Sequence, residues 1–205
     1  LKKSKIVFWD QDPKQAFKKK ELGWEYYQDG KINVFKNCIT NNLISESKTA
    51  LITINKEKTV KKYSYRDLDN QVNLFICYLN ENYPLEKREK RMMIHSSSTI
   101  ESAISMLACA KLGIHFSVVF EELEEEAILK RIKLFKPNII LTRQNEKKYK
   151  LKYKKIKSLY NKNLFFYQKF EKNKKLLKLK KYKNKSFKIM KNFFTLFTSG
   201  STGAP

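Results

Sequence analysis

Apolar residues along this chain fall into runs whose period changes with position. Ala50–Asn55 and Thr59–Tyr63 are short β-branched and apolar runs that read as two strands joined by a Lys-Glu-Lys turn. From Ser64 onward the period lengthens, and Leu68, Val72, Phe75, Ile76 and Leu79 recur on one helical face. Ser64 is a side chain that caps a helix, Asp67 falls in the first turn where negative charge is favoured, and Pro84 ends the element.

The next sixty residues alternate between the two periods. Met92–His95 reads as a strand. Thr99–Leu112 reads as a helix capped by Thr99, with Ile100, Ala103, Ile104, Leu107 and Ala108 inward and Gly113 at its end. Ile114–Phe120 is a strand, Glu124–Phe135 an amphipathic helix through Ala127, Ile128, Leu129 and Ile132, and Asn138–Thr142 a further strand after Pro137. A strand–helix–strand–helix–strand series predicts an α/β fold: a parallel sheet with right-handed crossovers and flanking helices.

Both ends are less regular. Ile6–Leu43 is rich in aromatics and keeps neither period for long, so it reads as an irregular arm whose rings bury against the main domain. After Thr142, Lys150–Tyr160 reads as one helix, Leu164–Tyr167 as an apolar strand and Phe170–Lys188 as a long Lys/Asn-rich loop. Phe193–Phe197 then reads as a buried strand.

That last strand feeds Thr198-Ser199-Gly200-Ser201-Thr202-Gly203-Ala204-Pro205. Glycines let backbone approach a ligand closely. Successive N–H groups in such a turn form an anion-binding concavity, and Ser and Thr hydroxyls add donors. The spacing is not Gly, four residues, then Gly-Lys-Ser/Thr, so it is not a Walker loop. A Gly/Ser-rich surface turn is the plainer alternative. In open parallel sheets ligands bind outside the carboxyl ends of strands, which is where this loop would lie.

Composition adjusts this picture in three ways. The chain of 205 residues carries a formal net charge of +24, which ordinarily points to nucleic acid or an anionic membrane. Here the lysines are dispersed and concentrate between Lys147 and Lys191, mixed with Asn and Tyr, so the charge reads as compositional. Cys38, Cys77 and Cys109 match no metal or redox spacing, and a reducing compartment fits them. His95 and His115 lie far apart and read as packing residues. No run is long enough to span a bilayer. With no metal site, no specific nucleic acid and no membrane span expected, a cytoplasmic protein is the expectation, with a nuclear or organellar pool left open.

The loop Thr198–Pro205 resembles the phosphate loop of the adenylate-forming superfamily. Gly30-Lys31-Ile32-Asn33-Val34 with Asn37-Cys38, then Tyr63–Leu68, and above all Ser105–Phe120 are similar to segments of acetyl- and propionyl-CoA synthetases, in the same order along the chain. The resemblance implies residues 1–47 as the N-terminal segment of an acetyl-CoA synthetase and 48–205 as the N-terminal part of an AMP-binding domain cut at the phosphate loop. The chain accordingly reads as an N-terminal piece, expected to be inactive alone.

The implied chemistry has two steps. A carboxylate attacks the α-phosphate of Mg-ATP, releasing pyrophosphate. The CoA thiol then attacks the acyl-adenylate, releasing AMP. Thr198, Ser199, Gly200, Ser201, Thr202 and Gly203 are the implied ATP phosphate-binding residues. Phe120, Lys148 and Lys150 are the implied CoA-side residues, and catalytic groups are expected downstream. An ionised carboxylate needs no general base. ATP, Mg2+ and CoA are the implied cofactors or substrates, and a small carboxylate the implied partner.

Three departures from the family stand out. Glu121-Glu122 replace the Gly-Gly expected after Val118-Val119-Phe120, close to where the family brings the negative CoA nucleotide. Arg143–Lys150 lacks the usual arginine pair, and Lys191-Asn192 replaces an acidic residue. Two rivals stay open: a nucleic-acid binder using Lys147–Lys191 with Tyr149, Tyr153, Tyr160, Tyr167 and Tyr182 for stacking, and a degenerate synthetase remnant.

Overall fold

The structure is a computed structural model that describes residues 7–21, 23–83, 90–160, 163–188 and 192–197. Its centre is a four-stranded, wholly parallel sheet. The strands are β6 (Arg91–His95), β7 (His115–Val119), β8 (Ile139–Thr142) and β9 (Leu164–Phe166), in spatial order β7-β6-β8-β9. The expected α/β architecture with a parallel sheet and flanking helices is therefore present.

The strands are apolar on both faces because both faces are covered. Side chains alternate between two cores, as the twofold period of a strand requires. Met92, Ile94, Ile139, Leu141, Phe116 and Phe165 point into one core. Met93, Ile140, Val119 and Phe166 point into the other. The first core is closed by α2 (Tyr65–Asn82) and α3 (Ile100–Leu112). The second is closed by α4 (Glu125–Phe135), α5 (Glu146–Lys152) and α6 (Lys154–Tyr160).

The helix starts follow the expected chemistry. Ser64 and Asp67 form a reciprocal capping box on α2, with the Asp67 N–H donating to Ser64 Oγ at 3.1 Å and the Ser64 N–H to Asp67 Oδ2 at 2.9 Å. Those hydrogen bonds from Ser64 hold the Asp67 carboxyl below its usual range. Thr99 caps α3, and Gly113 ends it at φ +69°, a left-handed conformation that Gly adopts without a Cβ penalty. Leu68, Val72, Phe75, Ile76 and Leu79 are all buried on α2.

On α3 the buried set is broader than expected. Ala103 and Leu107 are only half-buried, while Ser102, Ser105, Cys109 and Lys111 are buried. This helix is packed between the sheet, α2 and the arm, so more than one stripe is covered. Lys111 pairs with Asp69 of α2 at 3.4 Å and lies 4.4 Å over the Phe35 ring. Burial pushes the Lys111 ammonium down, and Asp69 opposes that shift.

The arm is more structured than its sequence suggests. It contains a hairpin, β1 (Phe17–Lys20) with β2 (Gly23–Tyr26), then β3 (Lys31–Ile32) and a short α1 (Val34–Cys38). Phe8, Phe17, Trp24 and Tyr26 remain exposed rather than buried, and Phe17 and Trp24 pair edge to face instead. Asn33 anchors the arm: its Oδ1 caps α1, and its Nδ2 donates to the carbonyls of Ala110, Lys111 and Lys185. The expected hairpin is β4 (Thr49–Ile54) with β5 (Val60–Ser64).

Three expectations for the second half are corrected. The single helix over 150–160 is two helices, broken at Tyr153 where φ is −116° and ψ is 62°. Residues 170–188 are not one loop: α7 (Tyr167–Asn173) and a 3-10 turn (Lys174–Leu176) come first, and the extended remainder ends in β10 (Phe187–Lys188), paired with β3. Finally, 193–197 is not a buried strand. It lies along the open edge of β7, bridged at Phe116–Phe194, and its exposure alternates because only one face meets the protein; Leu196 is 71% exposed.

Candidate functional site

The carboxyl ends of the parallel strands converge on one edge of the sheet. Ser96 and Ser97 follow β6, Phe120–Leu123 follow β7, and Arg143 and Gln144 follow β8. Parallel strands of an open α/β sheet present their binding edge here. The turn after β7 is the most heavily tied. Arg143 reaches the Glu121 carboxylate through Nε at 3.2 Å and also through Nη2, in a fork. Gln144 Nε2 donates to the Glu121 carbonyl at 2.6 Å. The Tyr153 hydroxyl lies 3.1 Å from the Glu121 carbonyl and 2.9 Å from that of Leu123. Ser97 Oγ donates to Glu122 at 3.0 Å.

These ties resolve what two carboxylates do at that turn. The Glu121 side chain is largely covered and its charge is matched by Arg143. Partial burial pushes its carboxyl up, but hydrogen bonds from Arg143 and its polar neighbours outweigh this and hold it below the usual range. The same hydrogen bond raises the Arg143 guanidinium. Tyr153 explains the helix break: the kink between α5 and α6 lets a fully buried ring carry its hydroxyl to the Leu123 carbonyl and to the Glu121 carbonyl that Gln144 also meets.

Beneath the turn, His95 is fully buried, edge-on to Tyr149 and Tyr153 and 3.4 Å from Thr142 Oγ1 through Nδ1. Its Nε2 and the Tyr149 hydroxyl have no hydrogen-bond partner among the described residues. Burial lowers the imidazole to about 4, against the opposing pull of Glu121. His95 is therefore neutral and serves as packing. His115 packs edge-on to Phe135 and its Nε2 lies 2.8 Å from Thr195 Oγ1. That bond ties the incoming 193–197 segment to β7, a role its sequence context did not reveal.

Thr198, Ser199, Gly200, Ser201, Thr202 and Gly203, the residues expected to bind phosphate, lie outside the described residues. The segment before them does not. The Phe116 N–H donates to the Phe193 carbonyl at 3.2 Å, and the Thr195 N–H to the Phe116 carbonyl at 2.9 Å. The bridge is parallel, so this segment points toward the same edge as the sheet's carboxyl ends. Phe197 packs on the second core, with Arg131 over its ring at 5.7 Å.

The CoA-side candidates are spread. Phe120 is 64% exposed beside the tied turn. Lys148 is exposed on α5. Lys150 pairs with Glu146, which Lys169 also contacts at 3.0 Å, so its charge is already matched. A cleft between Ser96, Glu101, Ser105, Arg143 and Tyr167 is too narrow to admit a water molecule. No group of three His, Cys, Asp or Glu side chains converges to hold a metal ion among the described residues. None of the described helices is long and apolar enough to cross a membrane.

A parallel α/β sheet with flanking helices and a tied turn at its carboxyl edge defines the class of open α/β folds that bind ligands at that edge. Residues 44–205 match the family of AMP-binding enzymes, and the chain belongs to that family. It is 34% identical over 137 residues to an acetyl-coenzyme A synthetase of Leptospira biflexa serovar Patoc (strain Patoc 1 / Ames), covering 65% of this chain and 20% of that protein. It is 31% identical over 120 residues to an acetyl-coenzyme A synthetase of Helicobacter pylori (strain P12), covering 58% of this chain and 18% of that protein. The chain thus spans about a fifth of the length of these relatives. The fold is similar to part of an acetoacetyl-CoA synthetase from Streptomyces lividans, with a TM-score of 0.77 at 11% identity over 97% of this chain and 33% of that one. Neither the nucleic-acid-binding reading nor the degenerate-remnant reading gains support from these relatives.

Proposed function

We propose that the protein to which this chain belongs is an acetate–CoA ligase of the AMP-forming type. Acetate attacks the α-phosphate of Mg-ATP to give acetyl-adenylate and pyrophosphate, and the CoA thiol then displaces AMP. The observation that carries the reading is the parallel docking of Phe193–Thr195 on β7, which aims the chain leading into Thr198–Gly203 at the binding edge of the sheet. The relatives' acetyl-coenzyme A synthetase names supply the substrate class.

On this reading Thr198, Ser199, Ser201 and Thr202 offer hydroxyl donors, and the backbone near Gly200 and Gly203 offers N–H donors, to the β- and γ-phosphates. Nucleotidyl transfer depends chiefly on positioning and charge stabilisation, which fixed donors provide. Mg2+ enters with ATP as part of the substrate. Phe120, with Lys148 and Lys150 further out, flanks the acceptor side. Glu121 does not repel a phosphate there as a free charge would, because Arg143 matches it.

Exchange of labelled pyrophosphate into ATP by the full-length protein tests the first half-reaction. Exchange that requires acetate is expected, with propionate as the comparison acid. A folded full-length protein that exchanges with no short carboxylate would sink the proposal.

A further inference from the structure

We propose that the extended strap over residues 177–186 is a contact surface for bilayers carrying anionic headgroups. The strap and the turn before it carry six exposed lysines, Lys175, Lys178, Lys180, Lys181, Lys183 and Lys185. No carboxylate lies within ion-pair distance of any of them among the described residues. From residue 172 to 197 the sequence contains no Asp or Glu at all. Lys174, beside the strap, pairs with Glu171 at 3.7 Å, while the six lysines named have no such partner among the described residues.

The strap is not a loose insertion, because its backbone is fastened to the fold. Cys77 Sγ contacts the Lys178 carbonyl at 3.5 Å, and the Tyr182 N–H donates to Asn73 Oδ1 at 3.3 Å. The Lys185 N–H donates to the Lys111 carbonyl at 3.1 Å, and Asn33 Nδ2 donates to the Lys185 carbonyl at 2.6 Å. Backbone bonded inward leaves the lysines outward, so little ordering entropy is lost when they meet a surface.

The uncharged residues select the partner. Leu176 is 81% exposed and Leu179 is 47% exposed, both among the lysines. Leu177 and Tyr182 turn onto the core instead. Binding of single-stranded nucleic acid calls for outward aromatic faces on which bases stack, and the strap's aromatic Tyr182 faces inward. Lysines flanking outward leucines suit an anionic bilayer: the charges are drawn to the headgroup layer and the leucines enter its acyl boundary.

The test is co-sedimentation of the full-length protein with vesicles at physiological salt. Vesicles of phosphatidylcholine containing phosphatidylserine should bind it, and phosphatidylcholine alone should not. Replacing Lys178→Gln, Lys180→Gln and Lys181→Gln together should weaken anionic binding about a hundredfold, at roughly fivefold per charge. Leu176→Ser with Leu179→Ser should weaken it at least about tenfold at constant charge. All five side chains point to solvent, so circular dichroism should be unchanged. A control triple, Lys56→Gln, Lys61→Gln and Lys62→Gln, removes equal charge from the β4–β5 hairpin and should have little effect. Equal binding to neutral vesicles, or an equal loss in the control triple, would overturn the proposal. So would binding that is indifferent to the leucines and is displaced by single-stranded RNA.

Discussion

Removing the Asp69 carboxylate should cost far more than an ordinary surface charge. Lys111 is 4% exposed and Asp69 5% exposed, with 3.4 Å between the charged atoms. Asp69→Ala leaves the ammonium, among the described residues, with the Phe35 ring face. Breaking one side of a buried pair typically costs about 3–5 kcal/mol, because the surviving charge is uncompensated. A ring face contributes about 2 kcal/mol or more to a desolvated cation, but Phe35 already contributes it in the native protein and so offsets none of the loss. The expected loss is therefore about 3 kcal/mol or more. Lys111→Met should cost a similar amount by stranding the carboxylate. The double variant Asp69→Ala/Lys111→Met should lie within about 1–2 kcal/mol of the native protein, since apolar replacement of a whole buried pair is often near neutral. Urea unfolding of the four proteins, followed by circular dichroism, closes the cycle. The single Asp69→Ala variant also carries a pH signature. Its Lys111 binds a proton less well folded than unfolded, so stability should recover as pH rises toward the ordinary lysine range. Single variants that each lose under about 1 kcal/mol, with no coupling, would refute the reasoning and place the pair in water.

Other consequences follow at the sheet's carboxyl edge and in the core. His95, held neutral with its folded value near 4, sits below the ordinary value of about 6.5, so the unfolded chain binds the extra proton between those limits. Stability should fall by about 3 kcal/mol as pH drops through that window, and the difference between wild type and His95→Phe should show that slope. Tyr153→Phe keeps the ring against His95 and Tyr149 but removes the hydroxyl from the Leu123 carbonyl and leaves the Glu121 carbonyl with Gln144. On the proposed function, losing about 1–1.5 kcal/mol of hydrogen bonding at the acceptor side should raise the KM for CoA roughly five- to tenfold while leaving pyrophosphate exchange unchanged. Among this chain's thiols, brief maleimide treatment followed by peptide mapping should label Cys38, which is exposed, and spare Cys77 and Cys109, which are buried. Burial also pushes the Cys109 thiol far above its usual range, so it carries no thiolate to react.

The central sheet was legible because local chemistry and burial agree there. Ser64 with Asp67, Thr99 and Gly113 mark helix ends by hydrogen bonding and backbone freedom alone, and the apolar strands between them need no tertiary information. The arm hairpin was not legible. Lys18, Lys19 and Lys20 and the exposed Trp24 leave it no buried face, so no alternation marks it. The break at Tyr153 was hidden for a different reason. Tyr149, Tyr153 and Ile156 continue a helical stripe straight through it, and what breaks the helix is a pair of carbonyls some thirty residues earlier. The strand reading of 193–197 recognised its apolar composition but not its edge position, since only the neighbouring β7 determines that. Likewise, the two glutamates after Phe120 were visible as a departure. The neutralisation of Glu121 was not, because Arg143 is brought to it by the β7-β6-β8 order of the sheet.

The claim that matters most is that Thr198–Gly203 cradles the phosphates of ATP, and one comparison tests it most directly. Adenylation rates of full-length Gly200→Val and Thr198→Ser should be measured by pyrophosphate exchange, with folding checked by circular dichroism. Valine disfavours positive φ and puts methyl groups where backbone must approach phosphate. Serine keeps the hydroxyl. Hydrogen bonds to charged groups contribute about 1.5–3 kcal/mol each, so losing one or two should slow Gly200→Val about ten- to a thousandfold, with Thr198→Ser much less affected. A folded Gly200→Val protein that adenylates acetate at nearly the native rate would contradict the account.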